Sequence, residues 1–152
     1  MKRAMIFAET ELPGAYVIDL EPIEDSRGFF ARAWSDQELA EHGLETRIAQ
    51  CNVSLTQRKG TIRGMHFQLP PHEEVKLVRC TRGALYDVIV DLRQDSSIFK
   101  RWFGVELSED NRRTLYVPRG FAHGFQTLAD ETEIFYMISE PYSSDAANGV
   151  RW

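Results

Sequence analysis

The sequence predicts an all-β protein, a sandwich or barrel of short strands with one or two short helices. Three observations carry this prediction. Runs rich in β-branched and aromatic residues recur along the chain, turn-forming residues separate them, and no strand-like run alternates with a long helical pattern. This combination is typical of antiparallel sandwiches and barrels rather than of parallel sheets.

The predicted elements follow one another from the N-terminal region onward. Strands are predicted at residues 17–23 and 29–34, and Ser35 with Glu38 three positions later forms a capping box that opens a short helix ending near His42. Arg82-Gly83 indicates a tight hairpin turn between two later strands. The strands predicted after the helix are residues 48–55, 61–68, 75–81, 84–92, 101–107, 114–117, 121–128 and 133–139.

Composition narrows the class of protein. The 152 residues, 43% apolar and 27% charged, predict a single globular domain over residues 1–152. A net charge of -5 argues against a nucleic-acid partner, and no apolar run approaches the ~20 residues of a membrane span. Cys51 and Cys80 form neither a disulfide framework nor a metal-binding pair, and no signal peptide is recognisable. We therefore expect a cytoplasmic protein with reduced thiols.

The stretch from Gly60 to Cys80 contains the first candidate catalytic residues. His66 lies on one predicted strand and Lys76 on the next. If the two strands lie close together in one sheet, an imidazole and an ammonium group face one pocket. A base and a cation suit the removal of a proton beside a carbonyl, because the cation stabilises the enolate. The alternative is a hydrogen-bonded core histidine and a lysine whose charged end reaches the surface.

Strand alternation adds three further candidates. Asp87 lies between apolar residues on one strand face, so it is either buried beside a histidine or lysine partner or part of a half-exposed face. His123 is flanked on its face by phenylalanines, which predicts that it points inward. Tyr136 shares a face with isoleucines and is predicted to be an inward phenol, either bonded to a carbonyl or donating a proton opposite His66.

The sequence offers too few ligands for a metal site. Pro118, Gly120 and His123 fit the P-x-G-x-x-H pattern of cupin jelly rolls, some of which hold a metal. A metal site of this kind needs three converging protein ligands. Only His66 and His123 are predicted to point inward, and His72 lies on a turn. We predict no metal, and a metal-dependent cupin is the last alternative.

Several segments together resemble the dTDP-4-dehydrorhamnose 3,5-epimerase family. They include RGFF at 27–30, IRGMHFQ at 62–68, KLVRCTRGALYDVIVDLR at 76–93, YVPRGFAHGFQTL at 116–128 and EIFYM at 133–137. The resemblance implies a double-stranded β-helix (cupin-like jelly roll), usually a homodimer that exchanges N-terminal strands. It also implies a dTDP-linked 4-keto-6-deoxyhexose as substrate, epimerised at C3 and C5 without a cofactor or a metal.

The resemblance assigns a role to each candidate. His66 matches the general base, Tyr136 the proton donor, and Lys76 the cation near the C4 oxygen. Asp87 matches a buried acid beside the catalytic cluster, and the substrate-binding positions are matched by Arg27, Gln50, Asn52, Arg63 and His123.

Departures from the family pattern leave the reaction class standing but leave the nucleotide and the exact hexose open. Arg32 stands where a glutamate is common, Cys51 replaces an aspartate, and Ala147 replaces a pocket glutamate. The family pattern also includes a further C-terminal segment whose acid orients the base, so here we expect Asp87 or solvent to serve His66. The alternatives are epimerisation at one carbon, 3,4-ketoisomerisation, and a sugar-binding cupin without catalysis.

Overall fold

The computed structural model describes residues 4–151, which form two antiparallel sheets, a small hairpin and one short helix. The helix α1 spans Asp36–Glu41. The strands are β1 (Ile6–Glu9), β2 (Tyr16–Asp19), β3 (Ile23–Asp25), β4 (Gly28–Phe30), β5 (Gln50–Thr56), β6 (Ile62–Gln68), β7 (Lys76–Arg82), β8 (Ala84–Asp91), β9 (Trp102–Ser108), β10 (Thr114–Val117), β11 (Phe121–Thr127), β12 (Thr132–Ile138) and β13 (Ala147–Gly149).

The order of strands confirms the all-β jelly-roll prediction. The six-stranded sheet runs β1-β2-β10-β7-β12-β5, and the five-stranded sheet runs β13-β6-β11-β8-β9. Strands that are neighbours in a sheet are mostly distant in sequence, as in a double-stranded β-helix. Within the described residues, no helix has the length and apolar character needed to cross a membrane.

The main core fills the space between the two sheets. It combines Val78, Leu115 and Ile134 from one sheet with Leu85 and Ile89 from the other, all almost completely buried. Alternate side chains of each strand supply this layer, since a strand presents every second residue to the same face. A second cluster, which includes Leu39 of α1, covers the outer face of the six-stranded sheet.

The short helix begins as predicted but its capping differs in detail. The Ser35 hydroxyl accepts a hydrogen bond from the Glu38 amide, 3.3 Å away, which confirms the N-cap. A full capping box would have Glu38 reach back to Ser35. Its carboxylate instead accepts a hydrogen bond from the Met5 amide and pairs with Arg32, because Met5, which directly precedes β1, lies beside the helix start.

Several predicted strands are shorter or interrupted. The run predicted at 17–23 is divided, since β2 ends at Asp19 and Pro22, which has no amide hydrogen to donate, precedes β3. The run predicted at 29–34 shrinks to the end of β4, whose partner strand among residues 4–151 is the three-residue β3. β1 and β13 were not predicted from the sequence.

The connection between β7 and β8 also differs from the prediction. Only Gly83 separates the two strands, yet β7 lies in the six-stranded sheet and β8 in the five-stranded sheet. The predicted hairpin is therefore a crossing from one sheet to the other. This crossing sends Lys76 and Asp87 to opposing sheets.

Candidate active site

Strands from both sheets form the walls of one cavity. On the five-stranded sheet, His66 of β6 and His123 of β11 lie opposite each other in the strand register. On the six-stranded sheet, β7 and β12 carry Lys76 and Tyr136. All four side chains line a cavity of about 520 Å³. The condition considered from the sequence, that both strands lie in one sheet, is not met, yet His66 and Lys76 line the same cavity from opposing sheets.

A second cavity of about 650 Å³ adjoins the first. His66, Lys76 and Tyr136 line both, so these three residues lie where the two spaces meet. The second cavity adds further polar groups, among them Asn52 and Glu74. Either volume lies within the range typical of small-molecule sites.

The electrostatic surroundings of His66 favour the neutral imidazole. Partial burial, the Lys76 ammonium and His123 together lower its pKa below the ordinary value of 6.5. A neutral ring at neutral pH can accept a proton. Within the part of the chain that the structure describes, no hydrogen bond reaches the His66 ring, while its backbone carbonyl accepts one from Lys76 Nζ at 3.4 Å.

The acid partner in this region belongs to His123. Asp87 is completely buried, and its Oδ1 lies 2.6 Å from His123 Nε2. The prediction that Asp87 is buried beside a histidine or lysine is confirmed, and the alternative that it lies on a half-exposed strand face is wrong. Asp87 does not serve His66, because β11 lies between β8 and β6 and His123 is the nearer imidazole.

Lys76 and Tyr136 are held on the opposite wall. The Lys76 side chain is only 12% exposed, so the reading of a surface lysine is wrong, and its Nζ lies 3.0 Å from Glu74 Oε1. Tyr136 packs against the main core and presents its ring to both cavities. Its strand pairs with β7 on one side and β5 on the other, which fixes its position.

The predicted substrate-binding residues divide into two groups. Arg63 lines the first cavity and donates to Ser54 Oγ at 2.7 Å. Asn52 lines the second cavity, and Gln50 donates to its side-chain oxygen at 3.2 Å.

Arg27 lies apart from the site in this chain. It sits at the turn of the β3–β4 hairpin, pairs with Asp25, and its side chain is 87% exposed. It lines neither of the two cavities.

The described residues offer no cluster of three or more His, Cys, Asp or Glu side chains suited to a metal ion. His72, the third histidine considered from the sequence, is exposed on the turn between β6 and β7.

Comparison with known proteins decides the family. A model of the dTDP-4-dehydrorhamnose 3,5-epimerase family matches residues 9–152. The chain belongs to this family. It is therefore an isomerase of the epimerase class by descent, as the sequence resemblance implied.

Individual members agree with this assignment. The dTDP-4-dehydrorhamnose 3,5-epimerase of Methanothermobacter thermautotrophicus is 42% identical over 146 residues, covering 96% of this chain and 78% of the relative. The Bacillus anthracis enzyme, solved with TDP and PPi bound, is 46% identical with a TM-score of 0.95, covering 98% of this chain and 85% of its own. The Legionella pneumophila enzyme, in complex with dTDP-4-keto-L-rhamnose, is 33% identical with a TM-score of 0.92, and the match covers 98% of this chain and 79% of that enzyme.

A more distant member of known structure has a narrower activity. It is a 3'-monoepimerase from Streptomyces bikiniensis, solved as a double mutant with one histidine and one tyrosine replaced, in complex with dTDP. It is 26% identical with a TM-score of 0.87, covering 94% of this chain and 72% of its own. The two replaced residues lie as far apart in that sequence as His66 and Tyr136 lie in this one.

The structure also places residues that the sequence reasoning missed. Glu74 and Ser54 both line the cavities, and both follow the alternation of a neighbouring candidate, two positions from Lys76 and Asn52 respectively. That periodicity was a usable signal. Of the departures, Ala147 lines the second cavity, whereas Arg32 pairs with Glu38 of α1 and lines neither cavity.

Proposed function

We propose that this protein epimerises a dTDP-linked 4-keto-6-deoxyhexose at C3 and C5 by proton transfer, without a cofactor. The observation that carries the proposal is the arrangement of one cavity: an imidazole on one wall, and an ammonium and a phenol on the other. Family membership and the 4-keto-L-rhamnose nucleotide bound to the Legionella relative support this substrate class.

Each residue has a defined part in the reaction. The C4 ketone acidifies the hydrogens on both adjacent carbons, and neutral His66 removes one of them. Lys76 stabilises the negative charge that develops on the C4 oxygen. Tyr136 then donates a proton to the same carbon from the other side, and His123, fixed by Asp87, lines the sugar site.

The positions of the groups on opposing sheets explain inversion. A single base returns the proton to the face from which it came, so inversion requires two groups on opposite faces of the ring. His66 and Tyr136 project from different sheets into the shared space, where a hexose between them meets each from a different side. The His-and-Tyr double mutant of the monoepimerase supports the same pair.

We assign the nucleotide to Arg63 at the first cavity and to Gln50 and Asn52 beside the second. Arg63 offers a planar guanidinium suited to phosphate oxygens. Gln50 and Asn52 supply amide groups beside the second cavity. The TDP and PPi bound to the Bacillus relative support a diphosphate site in this fold.

We further propose a homodimer in which the β3–β4 hairpin lies against the partner's β5. Phe29 and Phe30 of the hairpin are 47% and 60% exposed, and Val53 on the edge strand β5 is 64% exposed. Pairing would cover these apolar side chains and the free strand edge. It would also bring Arg27 to the partner's cavity, which accounts for its isolation in a single chain.

Light scattering tests the dimer. The wild-type protein should have twice the chain mass, and Phe30→Asp should shift it toward the monomer. Phe99→Asp, in the loop between β8 and β9, should remain dimeric. A monomeric wild-type protein would reject this arrangement.

Proton NMR in heavy water tests the reaction. With dTDP-4-keto-6-deoxyglucose, the wild-type enzyme should introduce deuterium at C3 and C5 and form the rhamno product. His66→Ala should lose at least ~10²-fold in rate, the contribution of a general base, while His72→Ala should stay active. Tyr136→Phe should exchange substrate hydrogen without inversion, while Tyr86→Phe, outside both cavities, should behave as wild type. If Tyr136→Phe inverts both centres at a normal rate, the donor is another group.

The second candidate is epimerisation at one carbon. It is favoured by the fold shared with the 3'-monoepimerase and by Ala147, which replaces a glutamate that the family pattern has in the pocket. The same spectra decide between them, since a monoepimerase labels one carbon and yields a single inverted centre.

A further inference from the structure

Glu74 is a buried carboxylate at the edge of the site. It lies just before β7 and is 8% exposed, a degree of burial that is rare for an unpaired acid. The cavity of about 650 Å³ is lined by Glu74 on the same side as Lys76. A buried carboxylate needs hydrogen-bond donors for both of its oxygens.

Only one oxygen of Glu74 has a donor. Oε1 lies 3.0 Å from Lys76 Nζ, whereas Oε2 is buried with no hydrogen-bond partner among residues 4–151. Gln68, another polar residue that lines this cavity, already has other hydrogen-bond partners. Gln68 donates to the carbonyl oxygen of His72 and accepts from the Ser143 amide.

The chemistry of a carboxylate determines which ligand group Glu74 can bind. A carboxylate repels phosphate but accepts strongly from a hydroxyl, and such charge-assisted hydrogen bonds are among the stronger ones. Since Glu74 also holds Lys76, which faces the reacting oxygen in the proposed mechanism, the group it meets belongs to the sugar and not to the diphosphate.

We propose that Glu74 reads the sugar: with substrate bound, one oxygen of its carboxylate accepts a hydrogen bond from a ring hydroxyl while the other positions the Lys76 ammonium. This inference rests on the proposed function and names a specificity residue of the same site. A 4-keto-6-deoxyhexose keeps two free ring hydroxyls, at C2 and C3, and one of them is the donor.

Binding of unreactive ligands tests the proposal. Calorimetry would compare dTDP with dTDP-quinovose, which has no ketone, and with its 2-deoxy and 3-deoxy analogues. In the wild-type protein one deoxy analogue should bind roughly 10- to 100-fold more weakly than dTDP-quinovose, the effect of a hydrogen bond to a charged group. Glu74→Gln should weaken dTDP-quinovose similarly, leave dTDP within about twofold, and no longer distinguish that analogue.

Glu73→Gln is the matched control. Glu73 adjoins Glu74 in sequence but lines a separate surface cleft beside Arg119, so this variant should bind every ligand as the wild-type protein does. Thermal unfolding of both variants shows whether they are folded. If Glu74→Gln does not fold, the deoxy analogues with wild-type protein still decide.

Two outcomes reject the role of Glu74. One is equal binding of all three sugar nucleotides by the wild-type protein, and the other is an equal loss of dTDP and dTDP-quinovose affinity in a folded Glu74→Gln. Turnover of the keto sugar by the same wild-type preparation separates the two proposals. If the protein turns over the keto sugar but binds dTDP-quinovose and its deoxy analogues equally, only the role of Glu74 is rejected. If it binds one deoxy analogue more weakly but does not turn over the keto sugar, only the epimerase function is rejected.

Discussion

Replacing Gly64 by alanine tests how the two histidine-bearing strands are held together. Gly64 lies on β6 with φ +106°, a conformation that L side chains rarely adopt. A Cβ at this position would lie 2.5 Å from Gly124 Cα and 2.7 Å from the His123 carbonyl oxygen. Both atoms are backbone of β11, so neither can rotate away. β6 must therefore move from β11 to accept a methyl group.

The expected cost has two parts. A positive φ in a residue with a Cβ costs about 1–2 kcal/mol, and overpacking typically adds about 1–3 kcal/mol. Gly64→Ala should thus lower the free energy of unfolding by roughly 2–5 kcal/mol. Gly60→Ala is the matched control, because Gly60 has φ +80° but no atom within 4 Å of the added Cβ. Gly60→Ala should lose only the about 1–2 kcal/mol that the positive φ costs.

Urea unfolding measures both variants, and turnover shows whether the site has moved. Movement of β6 displaces His66 relative to the opposite wall, and a misplacement of ~1 Å can cost ~10²-fold in rate. We expect Gly64→Ala to lose at least about tenfold in turnover and Gly60→Ala to keep most of it. Equal unfolding free energies with full activity in both would refute the close approach of the two strands.

Three further predictions follow from the structure. The pKa of His66 should lie below 6.5 and rise in Lys76→Met, because removing the neighbouring cation favours the protonated ring. NMR titration measures this pKa, and an unchanged value in the variant would contradict the prediction. In the wild-type enzyme, kcat/KM should accordingly persist to below pH 6.5 and fall as the base is protonated. Burial raises the pKa of Cys80 to about 11, so a thiol reagent at pH 8 should leave Cys80 unmodified, and rapid reaction of two thiols would exclude this. Ser35→Ala should cost about 1 kcal/mol in urea unfolding through loss of the helix cap; no change would show that the hydroxyl is dispensable.

The side of a strand to which a side chain points was predictable, because strand alternation depends only on neighbouring positions in the sequence. Period-two spacing placed His123 inward and put Tyr136 on the face of its isoleucine neighbours, whereas for Asp87 it left a buried and a half-exposed face open. Turn residues and apolar runs likewise located most strands and the cap at Ser35. Errors clustered where a partner decides the outcome, as in β1 and β13, which are short, mostly exposed and defined by the strand beside them.

Which of the two histidines pairs with Asp87 could be decided only from the strand order. The sequence supplied an acid at 87 and imidazoles at 66 and 123, but not which pair meets. Because β11 separates β8 from β6, the carboxylate binds His123 and leaves the His66 ring to the cavity. The buried carboxylate of Glu74 likewise became recognisable only when its second oxygen was found without a donor.

The sequence by itself determined the all-β class, the family resemblance and the inventory of base, phenol, cation and acid, since these depend on residue types and short spacings. Tertiary structure alone decided that the base and the phenol stand on opposing sheets. The reason is physical: β6 pairs with β13 and β11, and β12 pairs with β7 and β5, which are strands distant in sequence. Their pairing is set by the burial of two apolar sheet faces in one core and not by local spacing.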